Sequence, residues 1–361
     1  MLKQFALSLS IPAFALAAGF DWNLPKGFPK PVVPADNPVT AEKAELGRYL
    51  FYDKRMSRNG KESCASCHRQ ELAFTDGRAH AEGTTGQHHP RGAMSLVNVA
   101  YATTLTWANP KLESLEEQAL TPMLGEEPVE LGLKGHESEF LNVLRSDPVY
   151  QRLFPQAFPG EPDLYTLKNV TKAIATFERT IISMRSPYDR YRWADEATAI
   201  SDSAKRGELI FSSSERGGCF QCHGGWNFSA IRFEGAKDRE MSIGFFNTGV
   251  STYTAPNRGL YEHTQKSEDI GKFRPPTLRN VALTGPYMHD GSLATLQDVI
   301  DHYAAGGKID HPNKSKILHR FQLSDGDKRD LIEFLKSLTD EALLHDPRWS
   351  DPWSPEAPKA R

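Results

Sequence analysis

The 361-residue sequence has only four cysteines, no run of basic residues longer than three and, after residue 20, no apolar run of membrane-spanning length. A net charge of −3 gives no sign of a nucleic-acid partner or of binding to an anionic membrane surface. Apolar residues make up 39% and charged residues 25% of the chain, as is usual in soluble globular proteins. The length fits about two domains of ordinary size.

The first residues have the pattern of a secretory signal peptide. Lys3 provides a positive start, residues 4–16 are mostly apolar, and Ala15-Leu16-Ala17 forms an A-x-A cleavage site. The apolar stretch is short for a membrane span. We predict a signal peptide over residues 1–18, export to the periplasm, and no membrane span once the signal is removed. The alternative is a retained N-terminal anchor.

All four cysteines fall in two C-x-x-C-H motifs, CASCH at 64–68 and CFQCH at 219–223. In an exported chain four cysteines would suggest two disulfides, but C-x-x-C-H is the attachment motif of c-type haem. A zinc site shared by two C-x-x-C pairs is the alternative, and it leaves the histidine after each pair unexplained. The predicted attachment residues are Cys64, Cys67, Cys219 and Cys222, and the predicted proximal iron ligands are His68 and His223.

The sequence before each motif also repeats. Residues 47–51 and 207–211 each run from a glycine through an apolar pair that ends in phenylalanine, and each is followed by a polar loop and then by the motif. This pattern indicates a duplicated cytochrome c unit. We predict an N-terminal haem domain over residues 19–200, a C-terminal haem domain over 201–345, and an extended, Pro-rich tail over 346–361.

Helical periodicity predicts a mostly α fold with long loops. A capping box at 114–117 begins one helix, and the apolar spacing of 167–183 predicts a buried helix. Further helices are predicted from residue 295 and over 324–338, whereas 229–276 is predicted to be mostly loop.

Several motifs, in this order, resemble the bacterial di-haem cytochrome c peroxidase and MauG superfamily. They are TDG (75–77), SLEEQ (114–118), PVELG (128–132) and PPTLRNVALTGPYMHDG (275–291), together with the two C-x-x-C-H motifs. The segments at 86–110 and 183–193 are similar to the MbnH family of MauG-like enzymes. The resemblance implies two covalently bound haem c groups, hydrogen peroxide as oxidant, and a protein substrate, MbnP, whose tryptophan becomes kynurenine.

The resemblance places the peroxide site at the first haem. In relatives that need reductive activation, a histidine caps this iron, and the matching position here is Thr84. An open, five-coordinate iron is therefore expected. His80, His88 and His89 lie nearby and are expected to be solvated loop residues, although a shifted loop could bring one of them to the iron.

Three residues match catalytic positions of the superfamily. Gln118 and Glu130 match its distal-pocket pair, in which an amide holds peroxide and a carboxylate moves a proton between the peroxide oxygens. Trp107 matches the tryptophan that bridges electron transfer between the two haems.

One Ca2+ between the domains is also implied. The matching backbone carbonyls belong to Arg274 and Pro276, while the asparagine that contributes a side chain in relatives aligns with Gly92.

The helix containing DVIDHYAAGG raises the question of the sixth ligand of the second haem. Thr295 and Asp298 form a capping-box start, and at 100° per residue one face of the helix is apolar. That face consists of Leu296, Val299, Ile300 and Tyr303. His302 is one residue step off it, so Tyr303 is predicted to face the interior. The resemblance implies a tyrosinate ligand there, which would stabilise high iron oxidation states. Met288 is the rival ligand.

The leading functional prediction is a peroxide-dependent oxidase that forms a high-valent state of the two haems and oxidises a tryptophan of a partner protein by long-range electron transfer. The alternatives are a cytochrome c peroxidase, which draws electrons from a small cytochrome or cupredoxin, and a non-enzymatic electron carrier.

Overall fold

The computed structural model of the protein describes residues 20–229 and 244–355. The predicted signal peptide and the end of the tail lie outside these ranges. Within them, α-helices and short 3-10 turns alternate with long loops, and β-structure is limited to isolated bridges, so the prediction of a mostly α fold is confirmed. The helices are α1 (Ala41–Tyr52), α2 (Cys64–Cys67), α3 (Leu115–Leu124), α4 (Glu137–Ser146), α5 (Pro148–Ala157), α6 (Leu167–Arg179), α7 (Pro187–Trp193), α8 (Asp202–Phe211), α9 (Phe220–His223), α10 (Tyr261–Thr264), α11 (Leu296–Ala304) and α12 (Asp325–Lys336).

Helices α1 and α6 cross in the first hydrophobic core, and Cys64 and Ala65 of the first C-x-x-C-H motif pack against this core. At the crossing, a Cβ on Gly47 would overlap the carbonyl of Ala173 and press on Phe177. One turn further along α1, the Phe51 ring meets the Phe177 ring with centroids 5.1 Å apart. Glycine is therefore required because the two backbones touch.

Helices α8 and α12 repeat this crossing in the second core. A Cβ on Gly207 would overlap the Asp330 carbonyl and press on Phe334, and the rings of Phe211 and Phe334 are again 5.1 Å apart. The repeat at 47–51 and 207–211 thus corresponds to two equivalent helix pairs, each next to one C-x-x-C-H motif.

The duplication extends to a pair of asparagines that the sequence analysis did not identify. Asn98 and Asn280 both have a φ of 59°, in the left-handed region, and each precedes a 3-10 turn. The Asn98 Oδ1 accepts from the Ser183 amide at 2.9 Å, and the Asn280 Oδ1 accepts from the Asp340 amide at 2.8 Å. Asn280 also donates to the Ser183 hydroxyl at 3.0 Å, which ties the two halves together.

Hydroxyl side chains cap the starts of α3 and α11, as the sequence suggested. The Ser114 hydroxyl accepts from the Glu117 amide, but no bond returns from the Glu117 side chain, so only half of that predicted capping box forms. Thr295 and Asp298 form both hydrogen bonds of the capping box predicted at the start of α11. The helix predicted over 167–183 ends at Arg179, because the chain turns there to bond Asn98.

The two halves interlock through elements that cross the predicted boundaries. Tyr188 of α7 lies in the second core, with its ring 5.4 Å from those of Phe228 and Phe334. In the other direction, the segment after α12 returns to the first core, where Trp349 is buried. The domain limits themselves remain a prediction.

The prediction of an extended tail is wrong for residues 346–355. This segment forms turns and packs on α1. The Trp353 indole donates to the Tyr49 carbonyl at 3.0 Å, and the Tyr52 hydroxyl donates to the Trp349 carbonyl at 2.6 Å. Trp349 is buried and the Trp353 indole is hydrogen-bonded although 37% exposed, and these contacts outweigh the local proline content. Among the described residues, no helix is both long and apolar enough to cross a membrane.

Candidate active site

The first C-x-x-C-H motif forms the short helix α2 and presents His68 in a defined tautomer. The His68 Nδ1 lies 3.0 Å from the Phe74 carbonyl. A carbonyl can only accept, so Nδ1 carries the proton and the Nε2 lone pair is free for a metal. Burial lowers the pKa of His68 and so favours the neutral, ligating form.

The second motif repeats the same arrangement. The His223 Nδ1 lies 3.3 Å from the Phe228 carbonyl and 3.1 Å from the Pro276 carbonyl, and burial lowers its pKa to about 4. Phe74 and Phe228 both have positive φ, at 61° and 49°. Strained backbone of this kind is concentrated at functional sites, and here it directs each carbonyl to a histidine.

A cavity next to the second motif has the chemistry that a covalently attached haem requires. Cys219, Cys222, His223 and Tyr303 all line it. The rest of the wall is largely apolar and includes Phe211, Leu278, Val281, Leu296, Ile300, Phe321 and Leu331. Two thiols, a neutral imidazole and a phenol around an apolar space fit a c-type haem with one open or oxygen-ligated side.

Tyr303 and His302 point to different surroundings. Tyr303 lines the cavity, whereas His302 is buried outside it and its Nε2 donates to the Thr248 carbonyl at 2.9 Å. Burial raises the pKa of Tyr303 well above its usual value, and a hydrogen bond from the Thr248 side chain acts against that rise. Met288 lines the same cavity, so the choice of iron ligand remains a prediction.

Glu130 is a half-buried carboxyl beside the first motif. Burial raises the pKa of Glu130 to about 7. The pKa of the Cys67 thiol is raised to about 12, mainly by burial and then by the charges of Asp76 and Glu130. The loop containing Glu130 is fixed to α3, because the Leu131 amide donates to the Pro122 carbonyl at 2.9 Å. Gln118 lies half-buried on the same helix. A carboxyl with this pKa can both accept and return a proton near neutral pH.

Thr84, which the resemblance matches to the capping histidine of some relatives, lies beside Glu130. Its amide donates to the Glu130 carbonyl at 2.9 Å. His80 and His88 are exposed, and the His89 Nδ1 accepts from the Arg91 amide at 3.1 Å. Burial lowers the pKa of His89 to about 4. In the described residues, none of these three histidines is hydrogen-bonded to the first motif.

Trp107 connects the two halves. Its indole nitrogen donates to the Gly92 carbonyl at 2.8 Å, and its own carbonyl accepts from the Arg274 amide at 2.9 Å. It also lines the cavity of the second motif. An oxidisable ring held between segments of both halves fits the predicted bridging position.

The residues matched to a calcium site do not by themselves form one. The Pro276 carbonyl already accepts from His223, and the Arg274 guanidinium is buried nearby without a carboxylate. Calcium takes six to eight oxygen ligands, usually with carboxylates among them. Over residues 20–229 and 244–355, no cluster of three His, Cys, Asp or Glu residues could hold a metal ion.

Glu178 is a buried acid that the sequence analysis missed. It is 5% exposed, its Oε2 has no hydrogen-bond partner among residues 20–229 and 244–355, and burial raises its pKa to about 8. Its charge is the second cause, after burial, of a raised pKa at Cys64. Helical phase could have identified it, because Glu178 lies four residues after the buried Ile174 and so shares its face.

Comparison with known proteins identifies the family. A sequence model described as di-haem cytochrome c peroxidase matches residues 41–197. The chain is 36% identical to cytochrome-c peroxidase IdrP1 of Denitromonas iodatirespirans over 96% of both chains. It is 34% identical to methylamine utilization protein MauG of Methylorubrum extorquens over 85% of this chain and 81% of that protein.

Two solved structures have the same fold. A MauG-like protein associated with microbial copper homeostasis is 42% identical, with a TM-score of 0.88 over 93% of this chain and all of that chain. The di-haem peroxidase BthA of Burkholderia thailandensis, at 19% identity and a TM-score of 0.69 over 91% of this chain, is similar in fold. With two C-x-x-C-H motifs in equivalent helical surroundings and relatives that match nearly the whole chain, this protein belongs to the di-haem cytochrome c peroxidase and MauG family of oxidoreductases.

Proposed function

We propose that the protein is an exported di-haem enzyme that uses hydrogen peroxide to oxidise a tryptophan of a partner protein to kynurenine. In this proposal each C-x-x-C-H motif binds one haem c through two thioethers. The observation that carries the proposal is Tyr303, whose phenol lines the cavity of the second motif while the neighbouring His302 is turned away. An anionic oxygen ligand favours high iron oxidation states, which storage of oxidising equivalents requires.

The residues near the first motif would handle peroxide. The haem supplies two-electron reduction of peroxide when it is bound. Glu130, with a pKa of about 7, would take the proton from the inner peroxide oxygen and return it to the outer one, while the Gln118 amide would hold the peroxide by hydrogen bonds. No imidazole would have to leave first, because Thr84 stands where the capping histidine of some relatives stands.

The overall reaction balances with two peroxide molecules for each tryptophan. Each peroxide accepts two electrons and two protons and leaves as two waters, so two peroxides remove four electrons from the indole. Two water molecules supply the two oxygen atoms that are added as the C2–C3 bond breaks, and four protons are released, giving N-formylkynurenine. Hydrolysis then releases formate and leaves kynurenine.

An aromatic series supports electron transfer to a partner that stays at the surface. Trp226 lies three residues after His223, and its ring is 5.8 Å from that of Phe28. Phe28 in turn contacts Trp193 at 5.6 Å, and Trp193 is 52% exposed. The substrate tryptophan therefore need not enter the cavity.

A solved structure of similar sequence, that of a MauG-like protein associated with microbial copper homeostasis, suggests what kind of partner this chain has. That protein is MauG-like and 42% identical to this chain. We infer that the partner is an exported, MbnP-like protein with the same context, and that this enzyme meets it in the periplasm. Calcium remains part of the proposal only with ligands beyond Arg274 and Pro276, since the Pro276 carbonyl is already engaged.

A cytochrome c peroxidase is the second candidate function. Met288 in the cavity would suit it, since methionine ligation raises the potential of an electron-accepting haem. The 36% identity to a cytochrome-c peroxidase supports it as well. In that case electrons would come from a small cytochrome or cupredoxin, and the product would be water alone.

Mass spectrometry of the partner separates the two functions. The enzyme is co-expressed with an exported protein encoded beside its gene, treated with peroxide, and the partner is digested. The proposal expects one tryptophan to carry two added oxygens or the mass of kynurenine, and the Tyr303→Phe enzyme to leave it unmodified. An unmodified partner together with rapid oxidation of a reduced small cytochrome would establish the peroxidase function instead.

A further inference from the structure

Arg274 is a buried cation that no acid neutralises in the described parts of the chain. It is 8% exposed. Its Nε donates to the Thr106 carbonyl at 3.0 Å and one Nη donates to the Met94 sulfur at 3.1 Å, and both acceptors are neutral. Burial is the sole cause that lowers its pKa, to about 10. An unpaired charge in such a place is costly, so this position is suited to an anionic ligand.

The other deeply buried arginines contrast with Arg274. Arg279 pairs with the Asp189 carboxylate at 2.8 and 3.0 Å, and Arg179 pairs with Glu116 at 2.7 and 2.8 Å. Both arginines form bidentate ion pairs with an acidic residue of the same chain. The missing acid at Arg274 is therefore a local feature of the cavity wall.

His289 is a second buried polar group, and it is 4% exposed. Its Nε2 makes no hydrogen bond to any residue in the described parts of the chain. The Asp290 carboxylate is 4.0 Å from this nitrogen, beyond hydrogen-bond distance. The ring stacks on Phe273 with centroids 3.7 Å apart, which fixes its orientation.

Both residues line the cavity that contains Cys219, Cys222 and Tyr303. A haem attached there brings two propionate groups, and carboxylates are the natural partners of a guanidinium and of an imidazole N–H. We propose that Arg274 and His289 bind the propionates of the second haem, Arg274 as charge partner and His289 as hydrogen-bond donor.

This arrangement would tie the anionic edge of the second haem to the bridging tryptophan. A series of hydrogen bonds joins Arg274 to Trp107, Trp107 to Gly92, and Gly92 to the His289 carbonyl. The positive charge of Arg274 would favour the ferrous state of that haem and so raise its potential. The inference depends on the second haem alone and not on oxidation of a partner protein.

The test is the midpoint potential of each haem, measured by spectroelectrochemical titration of the holoenzyme without peroxide or partner. Arg274→Gln is expected to lower the potential of the second haem and to leave the first unchanged, while Arg274→Lys keeps the wild-type value. Arg258→Gln is the matched control, because it removes an arginine that is already paired with Glu262 at 2.9 Å. Wild-type potentials in Arg274→Gln would overturn the role of Arg274, as would equal shifts in the Gln and Lys variants.

A second measurement keeps the proposal testable if Arg274→Gln does not assemble. Resonance Raman spectra report the bending modes of haem propionates. His289→Leu removes the donor, whereas His289→Gln places an amide nitrogen near the original Nε2. The proposal expects a shifted propionate mode in the leucine variant and a wild-type mode in the glutamine variant. An unchanged spectrum in His289→Leu would show that His289 does not contact a propionate.

Discussion

His302 and Tyr303 are neighbours in the chain, yet they leave α11 in different directions and both meet Thr248. The His302 Nε2 donates to the Thr248 carbonyl at 2.9 Å, while the Tyr303 phenol lines the cavity together with Thr248, whose side chain acts to lower the pKa of the phenol. The histidine therefore holds the segment that supports the tyrosine. The residue type that usually binds metals has a structural role here, and its neighbour is the candidate ligand.

Substituting His302 and Tyr303 one at a time separates the structural role from the role as iron ligand. Tyr303→Phe should preserve binding of peroxide but abolish the long-lived near-infrared band that both oxidised haems produce together. His302→Asn should keep that band, because it removes one buried hydrogen bond at a cost of about 1 kcal/mol of folding stability. Optical spectra after peroxide addition and thermal unfolding give the two readouts. If Tyr303→Phe left both haem spectra unchanged, Tyr303 would not be a ligand.

Glu130 should set the pH dependence of peroxide consumption. Its pKa is raised to about 7 by burial, and the carboxylate is the form that accepts the peroxide proton. The rate should therefore fall as the pH drops below about 7. Glu130→Gln should lose roughly 10²- to 10⁴-fold in rate and also lose this pH dependence. Stopped-flow rates across pH 5 to 9 test it, with the exposed Glu126→Gln as control. A Glu130→Gln enzyme with the wild-type profile would exclude the carboxyl.

Glu178 should make the folded protein less stable as the pH rises, whereas a carboxylate in an ordinary ion pair makes it more stable. Burial raises its pKa from 4.5 to about 8. Below pH 4.5 the acid is protonated in both the folded and the unfolded chain, so it has no effect. As the pH rises from 4.5 towards 8 the unfolded chain loses this proton first, and stability falls over that window. Glu178→Gln should reduce this fall, as followed by chemical denaturation at several pH values. A wild-type slope in the variant would mean that the carboxyl is ionised in the folded state.

Periodicity and motif spacing were sufficient to predict the helices and to locate the two C-x-x-C-H motifs. The start of α11 at Thr295, the inward position of Tyr303 and the repeated Gly–Phe segments all follow from local patterns. Local patterns could not show what lies across the fold. The partners of Gly47 and Gly207 are carbonyls more than a hundred residues away in sequence, and the turns at Trp349 and Trp353 depend on the surface of α1.

The position of individual buried charges was the least predictable feature. Arg274 was interpreted through its carbonyl, whereas the structure shows a guanidinium in the wall of the cavity that pairs with no acid of the described residues. Whether an arginine is paired depends on the acids that tertiary packing brings near it, and these are remote in sequence. The pair of Asn98 and Asn280 was within reach, since LVNVAYA and LRNVALT share the asparagine and the apolar positions that follow it.

Adding a methyl group at the crossing of α1 and α6 or at the crossing of α8 and α12 should reduce folding stability to a similar extent. Gly47→Ala and Gly207→Ala place a Cβ against the backbone carbonyls of Ala173 and Asp330, and overpacking of this kind costs typically about 1–3 kcal/mol. Gly244→Ala is the control, because a Cβ there meets no atom of the described residues within 4 Å. Thermal unfolding should show a lower midpoint for the first two variants and a wild-type midpoint for the third. If the crossings tolerated alanine, the close approach of the backbones would be wrong.

Trp107 should govern communication between the haems without being needed to bind them. Trp107→Phe removes the hydrogen bond to the Gly92 carbonyl and a readily oxidised indole, but it keeps an aromatic ring at the junction. Both haems should still attach, and peroxide should still react at the first one. The spectral change of the second haem should then lag behind that of the first, because the oxidising equivalent no longer has an intermediate site between the two halves. Stopped-flow absorption that resolves the two haem bands measures the delay, with the exposed Trp193→Phe as control. Simultaneous changes in Trp107→Phe would show that the equivalents pass by another route.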